Sequence, residues 1–126
     1  MQLDHITLRT GDLTGTRDFL LTVFDELREG TRPSPIAENI LGHWLFVGDS
    51  PLIHLIGSGY PSAPGPSRSG EAFDHVGISL TGYDHFLAKL EKLNIRHSTM
   101  ELPELNERRI FFHTPTGHLL ETVFRE

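Results

Sequence analysis

The chain has no cysteine, which excludes disulfides, thiolate nucleophiles and cysteine-based zinc sites and leaves histidine and carboxylates as the available metal ligands. Positive charge is scarce too: 11 Lys and Arg against 17 Asp and Glu give a formal net charge of -6. With no basic cluster to neutralise a run of phosphates, a nucleic-acid partner is not expected. No apolar run approaches the ~20 residues of a membrane span, and the opening MQLDHITLRT lacks the basic-then-apolar pattern of a secretory signal. A cytoplasmic protein with no membrane partner is therefore expected. What is present is ordinary: 126 residues, 37% hydrophobic and 22% charged, suit a single globular domain over 1–126.

Apolar and β-branched residues alternate from Met1 to Arg9, which predicts a strand with Leu3, His5 and Thr7 on one face. Gly11 and Asp12 supply a turn and a helix N-cap, and Leu20, Val23, Phe24 and Leu27 follow at helical spacing, predicting a helix from about 13 to 27. Residues 30 to 39 read as an irregular connection, and LGHWLFVG and PLIHLIG as two strands joined at Asp49 and Ser50. The Gly-, Pro- and Ser-dense stretch at 58–71 has no apolar period and reads as a linker or a mobile loop, the plain connection between the repeats being preferred. Beyond it come a strand and a helix with Tyr83, Leu87, Leu90 and Leu93 on one stripe. Three further strands follow in IRHSTM, ERRIFFHT and HLLETVF, with a tight turn in TPTG at 114 to 117.

The halves repeat, a pattern that decides the fold class. LDHITL at 3–8 matches FDHVGI at 73–78, and PLIHLI at 51–56 matches HLLETV at 118–123, placing His54 opposite Glu121. An α+β chain of two βαβββ modules is expected, module 1 at about 1–57 and module 2 at about 72–126.

The repeat points to chemistry. In the strand after the linker, Val76, Ile78 and Leu80 can pack a helix while His75, Gly77 and Ser79 form a small, polar face, and His5 occupies the equivalent face in the first strand. Glu121 and His54 fall in the middle of apolar strands, where a polar group needs a partner. A divalent metal would be one, and imidazole with carboxylate suits Fe(II), Mn, Ni, Co or Zn. His5, His75 and Glu121, with His54 as a fourth donor, are the candidate ligands, and two histidines with one carboxylate would leave open positions for substrate. The alternative for Glu121 is an ion pair with Arg108, Arg109 or Arg125. Arg9, Arg108 and Arg109 are otherwise taken as solvated. His43, His85, His97, His113 and His118 border turns or lie on helix faces and are given no role.

On LDHITLRTGDL, FDHVGISL and FFHTPTGHLLETVF the chain resembles the glyoxalase, fosfomycin-resistance and extradiol-dioxygenase superfamily, the vicinal oxygen chelate proteins. Thr114 departs from the acidic residue that the family commonly carries before this proline. The resemblance implies a curved mixed sheet around a metal-binding cleft, with His5, His54, His75 and Glu121 as ligands and Glu121 also positioned to move a proton. It implies a homodimer whose sites each take His5 and His54 from one chain and His75 and Glu121 from the other. The implied activity is that of a divalent-metal-dependent lyase, isomerase or thiol transferase on a small substrate with adjacent oxygens. The alternatives are an Fe(II)-dependent extradiol dioxygenase and a metal-free protein that sequesters a drug, as bleomycin-binding members do. The family's glyoxalase I usually has glutamate where this chain has His54.

Overall fold

A computed structural model describes residues 2–59 and 73–126, so most of the stretch expected as a linker lies outside the described residues. The chain divides into two compact units, Met1–Gly65 and Pro66–Glu126. Among the described residues no helix is long and apolar enough to cross a membrane.

The first unit runs β1 (Ile6–Thr10), α1 (Leu13–Val23), β2 (Leu27–Gly30), a short α2 (Ser34–Ala37), β3 (Gly42–Val47) and β4 (Ser50–Gly57). Its sheet has the order β1-β4-β3-β2, with β1 parallel to β4 and the other pairs antiparallel. α1 begins where Asp12 caps it, its carboxylate accepting the Gly15 N–H at 2.9 Å. The helix ends at Val23, not near residue 27: Phe24 is already extended, and Leu27 opens β2 against Val47. The spacing that suggested one more helical turn arises because Phe24 folds back into the same core as Leu20 and Val23, all three buried. β1 is likewise shorter than expected, leaving His5 one residue ahead of it. The β3–β4 turn lies at Gly48 and Asp49, one residue earlier than expected, and Gly48 takes the positive φ of 57° that such a tight turn demands.

The second unit repeats the plan: β5 (Val76–Leu80), α3 (Tyr83–Lys92), β6 (His97–Leu102), a 3-10 turn (Pro103–Leu105), β7 (Glu107–His113) and β8 (Leu119–Phe124), with sheet order β5-β8-β7-β6. The expected turn at 114 to 117 is present, closed by the Gly117 N–H on the Thr114 carbonyl, with Gly117 at φ 99°. α3 buries Tyr83, Phe86 and Leu90; Leu93, expected on this stripe, lies past the last helical residue and is exposed. Phe86 packs between Phe112 and Phe124 at ring distances of 5.9 and 5.8 Å. The carboxylate of Glu126 accepts the N–H groups of Gly82 and Tyr83, tying the chain beyond β8 to the start of α3. Those backbone donors hold its carboxyl below the usual range.

The repeat is true to the residue. Thr7 pairs with His54 in the parallel β1–β4 ladder, and Gly77 pairs with Glu121 in the equivalent β5–β8 ladder. Both His54 and Glu121 therefore lie on the strand enclosed between two neighbours in its sheet. Their flanking residues Ile53, Leu55, Leu120 and Thr122 are buried, so His54 and Glu121 take the opposite face in each unit.

Candidate metal centre

The four candidate ligands form two pairs, one in each unit. Among the described residues no group of three or more metal-binding side chains converges.

In the first unit the His54 ring lies between two others. His5 stacks on it at 3.9 Å with an interplanar angle of 15°, and Trp44 at 4.1 Å and 9°. These rings approach from opposite sides, because β4 is flanked by β1 and β3. Nε2 of His54 is buried with no hydrogen-bond partner, the one such side-chain atom found among the described residues. Such an atom is uncommon, since buried polar groups are nearly always paired. Burial, followed by the nearby His5, pushes the His54 imidazole below its ordinary value, outweighing a backbone hydrogen bond at Pro51 and the Asp4 carboxylate. His5 has its own partner: Nδ1 meets the Asp4 carboxylate at 2.6 Å.

The second unit repeats that detail, with Nδ1 of His75 2.8 Å from the Asp74 carboxylate. Each Asp-His dipeptide thus engages Nδ1 and leaves Nε2 as the atom for another group, the arrangement that orients metal-binding imidazoles. Here Nε2 of His75 lies 2.9 Å from Oε2 of Glu121. The other oxygen of Glu121 receives Nη1 of Arg109 at 2.9 Å, and Arg109 also grips Glu107, which is held in turn by Arg125. Glu121 and Glu107 are both buried, so these cations supply the partners that buried carboxylates need. Gly77 lies beside the same oxygen: a Cβ there would meet Oε2 of Glu121 at 3.6 Å, an ordinary van der Waals contact.

Of the three arginines considered for Glu121, Arg109 is the one that pairs with it, so it is not simply solvated. Arg108 instead lies over the Tyr83 ring at 3.9 Å. His43 pairs with Glu29, His97 donates to the Ile95 carbonyl, and His118 pairs with Thr114. Asp4, Asp74 and Trp44 were not singled out from the sequence. The two aspartates were available to it, since the Asp-His dipeptide recurs at the same place in each half.

Each pair carries donor atoms of the kind a divalent ion takes. Nε2 of His54 is a buried ring nitrogen without a partner, and Nε2 of His75 stands 2.9 Å from Oε2 of Glu121, an imidazole beside a carboxylate.

The metal-free pairs should also be visible in their titration. The hydrogen bond to Asp74, then the charge of Glu121, raises His75 above the ordinary imidazole value of 6.5. His75 accordingly stabilises the fold fully below that value and loses its contribution as pH rises through the raised one. NMR of the metal-free chain should find His75 titrating above 6.5, with Asp74→Asn bringing it down. An unchanged midpoint in that variant would refute the role given to Asp74.

No protein-family model matches the chain, and no curated protein matches it. Solved structures do. A protein assigned to the glyoxalase family from Bacillus anthracis aligns with 100% of this chain and 96% of its own, at a TM-score of 0.75 and 18% identity. The fosfomycin resistance protein FosX of Listeria monocytogenes aligns over 98% and 93%, at 0.70 and 20%. A mutant of that protein has been solved in complex with Mn(II) and 1S,2S-dihydroxypropylphosphonic acid. Lactoylglutathione lyase of Agrobacterium tumefaciens aligns over 98% and 92%, at 0.68 and 16%. The chain therefore has the glyoxalase-like fold, two α+β modules of one plan.

Proposed function

We propose that the chain is a divalent-metal-dependent enzyme of the vicinal oxygen chelate superfamily, acting on a small substrate with two adjacent oxygens. The observation that carries this reading is the duplicated donor pair: His5 with His54, and His75 with Glu121, each begun by an Asp-His dipeptide that leaves Nε2 for a ligand. Mn(II) in the FosX complex favours a cation of the kind that imidazole and carboxylate prefer, with Ni, Zn, Co and Fe(II) in the same range. When bound, such an ion supplies Lewis-acid stabilisation of the negative charge that develops on substrate oxygen.

The residues have separate tasks in this reading. Asp4 and Asp74 fix the tautomer and direction of the two outer imidazoles. Arg109, on Oε1, holds the Glu121 carboxylate so that Oε2 faces His75 and can take up or return a proton of the substrate. The reaction belongs to the lyase, isomerase or thiol-transfer type. Since each unit supplies two donors, we further propose a homodimer in which one protomer contributes His5 and His54 to a site and its partner contributes His75 and Glu121.

Reconstitution with each of the five ions, followed by dialysis and elemental analysis, should leave about one ion per chain. Hemithioacetals, epoxides and catechols then form the activity panel, with oxygen uptake on catechol the mark of the dioxygenase alternative. A chain that retains no stoichiometric ion under any of these conditions would overturn the metal-enzyme reading.

A further inference from the structure

The second unit carries a groove of about 740 Å³ on the face of its sheet that bears Glu121. That volume is in the range of small-molecule sites. Ile95 and Arg96 line it from just ahead of β6, His97 and Ser98 from the start of that strand, Phe111 and His113 from β7, and Leu119 from β8. The groove adjoins the His75–Glu121 pair, because Phe111 stands directly opposite Glu121 in the β7–β8 ladder and Leu119 lies two residues before Glu121 on the same strand.

The chemistry of this lining departs from that of the chain. The net charge is -6, yet no carboxylate lines the groove; it presents the guanidinium of Arg96, the hydroxyl of Ser98 and the imidazole of His113 beside an apolar floor of Phe111 and Leu119. Arg96 stands out among the arginines. Each of the others among the described residues has a partner of its own, whereas Arg96 is exposed and has none among the described residues. A guanidinium left free beside hydrogen-bond donors and an aromatic surface is suited to an oxyanion carried on an apolar body.

We propose that this groove holds the far end of the substrate and that this end is an oxyanion of the carboxylate or phosphonate class. The apolar body lies over Phe111 and Leu119, and the anion meets Arg96, with Ser98 and His113 within the same lining. β6 is two strand spacings from β8, so the anion sits roughly 10 Å from the strand of Glu121, with the reacting oxygens at the other end of the molecule. That the occupant is the enzyme's substrate, and which way it lies, rest on the enzyme reading; the anion preference stands without it.

Amide-shift NMR titration of the full chain, metal-free and Zn(II)-loaded, tests this with phenylacetate, benzylphosphonate and the neutral 2-phenylethanol. Either anion should bind about tenfold more tightly than the alcohol, with shifts at Arg96, Ser98, Phe111 and His113. The tighter of the two identifies the oxyanion class. Arg96→Gln, at an exposed position, should bring the anions to the affinity of the alcohol while leaving the thermal midpoint in place. Anions that bind no better than the alcohol, or that ignore Arg96→Gln, overturn the proposal. Binding that is lost in Glu121→Gln but kept in Arg96→Gln would put the anion at the metal centre, overturning the groove and sparing the enzyme reading. Arg96-dependent binding in a chain that takes no metal would uphold the groove and overturn the enzyme reading.

Discussion

Glu121→Ala should lower the affinity for the divalent ion by more than about a hundredfold, beyond the loss caused by removing an outer partner of a ligand. It should lower metal-dependent kcat/KM on the order of a thousandfold, about 4 kcal/mol of transition-state stabilisation. The size follows from position. Glu121 is the single carboxylate in the proposed donor set, is buried, and spends one oxygen on Arg109, so Oε2 has no substitute nearby. Glu121→Gln keeps an acceptor for Arg109 and removes the charge, so it should fold more stably than the alanine variant and still lose the ion. Trp44, the chain's one tryptophan, stacks 4.1 Å from His54 and gives a fluorescence signal for the titration. If Glu121→Ala binds the ion as tightly as the unaltered chain, the carboxylate is an ion-pair partner of Arg109 and nothing more.

The equivalence of His54 and Glu121 was legible in the sequence because strand periodicity is strict: two matching segments with a polar residue at one central position place those residues in matching registers. The βαβββ plan followed from the same repeat. β2 was obscured because Leu27 continues a helical spacing that Phe24 had already ended, and four residues of LREG carry no alternation strong enough to oppose it. Trp44 was hidden by the backbone. A regular two-residue hairpin pairing Val47 with Ser50 would put Trp44 opposite Ile53, but a register shift between Leu45 and Val47 moves it opposite His54 and creates the stack. Arg109 could be named as one of three choices, since parity alone places alternate residues of β7 on the Glu121 face without saying how far a guanidinium reaches.

The second large effect separates function from stability at one atom. His54→Phe keeps a flat ring between His5 and Trp44 and removes the buried Nε2 that has no partner. An unsatisfied buried polar group costs about 1–3 kcal/mol, and the backbone hydrogen bond at Pro51 that is lost with it is worth about 1, so the metal-free variant should be more stable by about 1 kcal/mol. Urea unfolding should show this as a higher midpoint at an unchanged slope. The gain should grow as pH falls below 6.5: the unfolded parent chain takes up a proton at His54 there, while the folded one, its imidazole pushed down, resists it. The same variant should bind the divalent ion more than about a hundredfold less tightly, as expected when a ligand itself is removed. A less stable His54→Phe would mean that the imidazole is satisfied where it stands. A more stable variant with unchanged ion affinity would remove His54 from the donor set and leave His5, His75 and Glu121, the two-histidine, one-carboxylate arrangement that oxygen-activating iron sites use.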